Sequence, residues 1–168
     1  MILTTAQRTT LRNSITGNVD APGSAQFYTD GNTEALAALY NVPSTFWVYK
    51  TSVSKAELTN TASVDATVFN WTGAGFITRS VGERDAWREL FDADGYVNPS
   101  LPQVRQAFTD IFSGATAPAP ANRTHLSAVS RRLASKAERL FATGTGSTAS
   151  PGTLVVEGAL LPSDLAGL

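Results

Sequence analysis

Two adjoining stretches decide the fold: Ala121-Asn-Arg-Thr-His-Leu-Ser-Ala-Val-Ser-Arg-Arg-Leu-Ala-Ser-Lys-Ala-Glu-Arg-Leu-Phe-Ala142, and then Thr143-Gly-Thr-Gly-Ser-Thr-Ala-Ser-Pro-Gly152. In the first, Leu126, Val129, Leu133, Ala137 and Leu140 recur at steps of three or four residues. That spacing lays a narrow apolar stripe along a helix and predicts the longest helix of the chain over about 121–142. Arg132, Lys136 and Arg139 then fall on one basic face of it. The second stretch holds no core-forming side chain, and its glycine, serine and threonine predict a flexible tether. Beyond it lie Thr153, Leu154, Val155 and Val156, a short β-prone run, and then Leu160 and Leu161. An apolar tail on a tether predicts an arm that docks on another surface, with Thr153, Leu154, Val155, Val156, Leu160 and Leu161 as its contacts. The expected division is a helical domain over 1–143 and a tether with extended arm over 144–168.

Upstream, the helix starts are written in capping residues. Thr4 with Gln7, Ser54 with Glu57, Ser80 with Glu83, and Ser100 with Gln103 each fit the capping-box pattern. They predict helices over about 5–16, from Ser54 to about Asn60, after Ser80, and after Ser100. A helix over 33–41 follows from the spacing of Leu36, Leu39 and Tyr40. Val53 and Leu58 sit where a hydrophobic staple needs them. The segments 17–31, 72–75 and 115–120 read as a loop, a turn and a stiff proline linker. Phe46-Trp47-Val48-Tyr49 is aromatic and β-branched and reads as extended, without an evident partner strand. The fold class is therefore mainly α: a small helical bundle domain of four to six helices with an extended C-terminal arm and little or no sheet.

Composition narrows the function classes. The chain has 168 residues, 42% of them hydrophobic and 16% charged, which suits one globular domain with a surface poor in charge. A formal net charge of -1 argues against a dedicated nucleic-acid binder. The chain contains no cysteine, which removes disulfides, thiolate catalysis and cysteine-bound zinc together. No signal peptide is read at Met1–Thr5, and no apolar run approaches the ~20 residues that cross a bilayer, so no membrane partner is expected.

The catalytic candidates are weak. Gly144-Thr-Gly146-Ser-Thr-Ala149 matches the dinucleotide-loop pattern, but that loop must leave a strand and open a helix, and here it enters a Ser/Pro run. His125, the one histidine, has no carboxylate cluster around it in sequence and reads as a surface or interface residue. Asp85, Glu89, Asp92 and Asp94 read as a solvated helix face. Asn122-Arg123-Thr124 matches a glycosylation sequon by coincidence. No catalytic residue, cofactor or metal is expected, and the chain is read as a structural protein.

Asn70-Trp71-Thr72, Ser80-Val81-Gly82 with Trp87, and above all Arg132-Leu-Ala-Ser-Lys-Ala-Glu-Arg-Leu-Phe-Ala-Thr-Gly-Thr-Gly-Ser-Thr-Ala-Ser-Pro151 resemble structural proteins of tailed bacteriophages. The likeness covers roughly the second half of the chain and is most similar to the head-tail adaptor, also called the connector or head-completion protein. It implies a virion protein of the neck, made in the host bacterial cytoplasm. Identical subunits would form a ring, twelvefold in that family, beneath the portal protein. The arm would grip portal or a neighbouring subunit, with a downstream tail or stopper protein on the other side and packaged DNA in passing contact. Two alternatives stand beside it: another neck or tail component (stopper, tail terminator or minor tail protein), and a DNA-packaging-associated binding protein.

Overall fold

The computed structural model describes residues 1–71, 73–115 and 118–168, with Gly73 and Ala74 described by backbone alone. Thr72 of the expected turn, and Thr116 and Ala117 of the expected linker, lie outside them. Among the described residues there are nine α-helices, one π-helical turn and three two-stranded sheets, so the chain is mainly α. It divides into two compact units, Met1–Val48 with Leu133–Leu168, and Tyr49–Arg132. The second is inserted between two segments of the first. This replaces the expected division at 143/144, because the C-terminal segment supplies core to the first unit.

The first unit opens with α1 (Thr5–Gly17), where the Thr4 side chain accepts the Gln7 N–H and Gln7 Oε1 accepts the Thr4 N–H at 2.8 Å. The helix ends at Asn18, whose φ of 51° is the left-handed cap that asparagine tolerates. The segment read as a loop contains a short helix, α2 (Ser24–Thr29), anchored where Ser24 Oγ donates to the Ile15 carbonyl at 2.8 Å. Helix α3 (Thr33–Asn41) has the expected bounds, capped by the Asn32 side chain. It buries Leu36, Ala37 and Tyr40. The Tyr40 hydroxyl meets Ser14 Oγ at 2.7 Å, and burial raises its pKa above 10.0. Strand β1 (Pro43–Tyr49) then carries the aromatic run.

In the second unit, β2 (Val53–Ser54) pairs antiparallel with β3 (Tyr96–Val97). Between them lie α4 (Lys55–Asn60), the π-helical turn Gly73–Ile77 and α5 (Val81–Glu89). The Ser54 side chain caps α4 through the Glu57 N–H at 3.0 Å, and the Ser80–Glu83 box is complete in both directions. The box expected at Ser100 does not form. Helix α6 (Pro102–Ile111) starts from Leu101 with no side-chain cap, and Asn98 Oδ1 accepts the Ser100 N–H at 3.0 Å and the Ser100 hydroxyl at 2.6 Å. Helix α7 (Ala119–Val129) completes the unit. Phe69 is the hub of its core, stacked on Trp87 at 5.7 Å and edge-on to Phe112 at 5.5 Å. Val53 and Leu58, the predicted staple, are fully buried in the same cluster.

The long helix over 121–142 is not formed. After α7 the chain runs into strand β4 (Arg131–Ser135), which pairs with β1, and then α8 (Lys136–Arg139). The partner missing for Phe46–Tyr49 is thus the middle of the predicted helix. Ser44 Oγ donates to the Ala134 carbonyl at 2.8 Å, and the Lys136 N–H reaches the Val42 carbonyl at 3.0 Å. Ser135 restarts a helix with a full capping box on Glu138.

Strands β5 (Ala142–Thr143) and β6 (Thr153–Leu154) form an antiparallel hairpin in the register Ala142 with Leu154. The loop between them is no tether. The Trp47 N–H donates to the Gly146 carbonyl and the Gly152 N–H donates to the Trp47 carbonyl, each at 2.8 Å. A Cβ on Gly146, whose φ is +66°, would stand 2.1 Å from the Phe46 ring, and one on Gly152 would stand 2.4 Å from the Thr143 carbonyl. Glycine is required because Phe46 lies against the loop backbone. The last element is α9 (Pro162–Leu165).

Gly146→Ala is expected to destabilise the protein by about 2–3 kcal/mol, from ring overlap plus the cost of positive φ. Phe46→Ala in the same chain should recover part of that loss. Urea titrations of both singles and the double would show it as a coupling between the two positions.

Candidate functional site

The six arm residues are held on the first unit rather than extended from it. Leu160 is 1% exposed and Leu165 is 4% exposed, both in a cluster with Leu11, Ile15, Leu36 and Tyr40. Val156 packs against that cluster, and Thr153 and Leu154 are half-buried in the hairpin. Only Val155, 64% exposed, and Leu161, 52% exposed, keep open apolar side chains. The free-arm expectation is corrected accordingly, and the cause is a set of polar fasteners. The Asn41 amide accepts the Leu160 N–H and donates to the Leu160 carbonyl, both at 2.8 Å. Glu138, itself 3% exposed, accepts the Gly158 N–H at 3.1 Å. The Arg8 guanidinium donates to the carbonyls of Asp164 and Ala166 at 2.9 and 2.8 Å.

Asp164 closes the tail. Its carboxylate accepts the Leu161 N–H at 2.8 Å and pairs with the Met1 ammonium at 3.0 Å. Burial pulls this carboxyl upward, but the Leu161 N–H, the ammonium and Arg8 together outweigh it and leave its pKa below 3.8.

The basic face is dispersed. Arg132 lies in β4, while Lys136 and Arg139 lie in α8. The break at Ser135 means that the three residues do not share one helix face. Arg139 is exposed, and Arg132 and Lys136 are half-buried.

The other candidates resolve into structural roles. His125 is fully buried, against the expectation of a surface position. Its Nε2 donates to the Leu58 carbonyl at 2.8 Å, and its Nδ1 meets Thr67 Oγ1 at 3.1 Å. Both ring nitrogens are thus occupied by α4 and the loop after it. Asn122 of the sequon is also fully buried, and its amide pairs with both backbone groups of Asn70 at 2.8 and 3.2 Å. Asp85 and Glu89 are exposed, with Asp85 paired to Arg88 at 2.7 Å. Asp92 closes a local turn onto the Asp94 and Tyr96 N–H groups. Among the described residues, no group of three or more His, Cys, Asp or Glu side chains is placed to hold a metal ion. Nor is any helix there long and apolar enough to cross a membrane.

Sequence reasoning missed Asn41, Glu138 and Phe46, the residues that hold the hairpin and tail in place. One local signal was available, since Ser135 and Glu138 have capping-box spacing. Asn41 and Phe46 act on residues far along the chain and leave no local trace. The chain matches no protein-family description, no curated protein and no solved structure.

Two outcomes follow from this geometry. Truncation after Gly144 is expected to strip hydrogen-exchange protection from α1 and α3, since it removes Leu160 and Leu165, while α5 to α7 keep theirs. A free arm would leave both unchanged. For Asp164, the folded pKa lies below the unfolded one, so its contribution is present above about pH 4 and is lost as pH falls through the folded value. Asp164→Asn should therefore flatten the acid limb of stability against pH, as read by thermal melts.

Proposed function

We propose that this chain is a non-enzymatic structural subunit of a tailed-phage neck, a head-tail adaptor that assembles with copies of itself and with the portal protein. The observation that carries the reading is the pair Val155 and Leu161. The segment around them is fastened by Asn41, Glu138 and Arg8, yet these two aliphatic side chains face solvent. Apolar side chains on a fixed backbone suit a contact surface, because little ordering cost remains at assembly. The likeness of Arg132–Pro151 to phage structural proteins supports the same reading. That stretch contains β4, α8, β5 and the hairpin loop, which lead directly into the segment bearing Val155.

The adaptor contact is therefore a docked tail with two outward aliphatics, in place of a free strand. Ring formation, the portal above and a tail or stopper protein below belong to this reading.

The test is a Val155→Asp, Leu161→Asp double variant. Both sites are open to solvent, so the thermal midpoint should stay close to that of the parent. Recovery of the chain in purified virions, and its co-purification with portal protein, should fall about tenfold or more. Particles that incorporate the double variant at the parental level would refute the proposal.

A further inference from the structure

A cavity of about 190 Å³ opens in the second unit, lined by Tyr49, Arg105, Phe108, Arg123, Ser127 and Ser130, with Thr109 at its edge. Its two arginines come from α6 and α7, and each is held by backbone carbonyls. Arg105 Nη1 donates to the Pro99 and Ser100 carbonyls at 2.7 and 2.8 Å, with its guanidinium 4.0 Å from the centre of the Tyr49 ring. Arg123 Nη1 donates to the Phe112 and Gly114 carbonyls. A guanidinium carries five N–H donors, and these bonds engage only the Nη1 group of each. No aspartate or glutamate is among the lining residues.

The cavity thus combines two fixed cations with no resident carboxylate. A bound oxyanion answers both conditions.

The donor set selects the anion. Guanidinium forks match both carboxylate and phosphate. Two forks together with the Ser127 hydroxyl exceed what the two oxygens of a carboxylate engage, and they suit a tetrahedral group with more oxygens. The volume is below the roughly 300–1,000 Å³ of pockets that enclose drug-sized ligands, so a single group fits and a whole nucleotide does not. We infer that this cavity binds one phosphate group, either free or as the terminal group of a phosphate monoester. The inference rests on the second unit alone and is independent of the assembly reading.

The test is calorimetric titration of the full chain with inorganic phosphate, with glycerol phosphate and with acetate, at constant ionic strength. Saturable binding of one or both phosphates at millimolar concentration is expected, and acetate should be much weaker. Binding of inorganic phosphate assigns the site to the free ion; binding of the glycerol ester alone assigns it to a monoester. Arg123→Gln should abolish binding, but it also frees two carbonyls. Ser127→Ala is the cleaner variant, because Ser127 is exposed at the cavity and its loss frees no carbonyl, and it should weaken binding roughly tenfold with an unchanged melting temperature. No saturable binding by either phosphate, acetate binding as tight as phosphate, or parental affinity in Ser127→Ala would each overturn the assignment.

Discussion

Leu160 reaches the first unit's core only because the peptide groups it carries with it have partners. Backbone N–H and C=O groups taken out of water cost about as much as the hydrophobic gain unless they are hydrogen-bonded. The Asn41 amide answers both groups of Leu160 at once, one donor to one acceptor and the reverse. Burial of Leu160 and Leu165 then contributes on the order of 1.5–3 kcal/mol each. Glu138 plays the matching part at the next turn of chain. Its two oxygens receive the Ser135 and Gly158 N–H groups, so one buried carboxylate caps α8 and fixes the approach to the tail. Burial of a carboxylate is tolerated when its oxygens are answered in this way.

β1 has a comparable role. One edge pairs with β4, and Trp47 exchanges backbone hydrogen bonds with Gly146 and Gly152 of the hairpin loop. Phe46 lies against that loop so closely that Gly146 and Gly152 cannot be replaced without displacement of the ring or the backbone. A glycine-rich sequence is here a packing requirement, where its composition alone suggests freedom. On the proposed assembly role, this changes how the contact forms: Val155 is presented from a closed hairpin, so recognition depends on the shape of a fixed surface.

The legible parts of the fold are the local ones. Thr4, Ser54 and Ser80 announce their helices because a cap is settled within four residues, and Leu36 and Tyr40 place α3 by their own spacing. Ser100 misled because Asn98, two residues before it, accepts its N–H, the group that Gln103 would answer in a box. The stripe from Leu126 to Leu140 misled more seriously. Leu133 counts toward helical spacing, yet it sits 37% exposed in a strand whose partner is β1, far upstream. Helix and strand patterns are hard to separate in short runs when the deciding partner is remote. The tail and the buried position of His125 were illegible for the same reason. Asn41, Glu138, Thr67 and the Leu58 carbonyl decide them, and none of these is a neighbour in sequence. Arg105 and Arg123 likewise meet at one cavity only through the packing of two helices.

The nested connectivity has a consequence for biosynthesis. Residues 49–132 are continuous, so that unit can acquire its core while the ribosome is still at work. The other unit cannot until residues 160–165 are made, because α1 and α3 are translated long before the leucines that seal their core. Through that interval those helices carry an open apolar face, a nascent surface suited to chaperone engagement until Leu160 and Leu165 emerge.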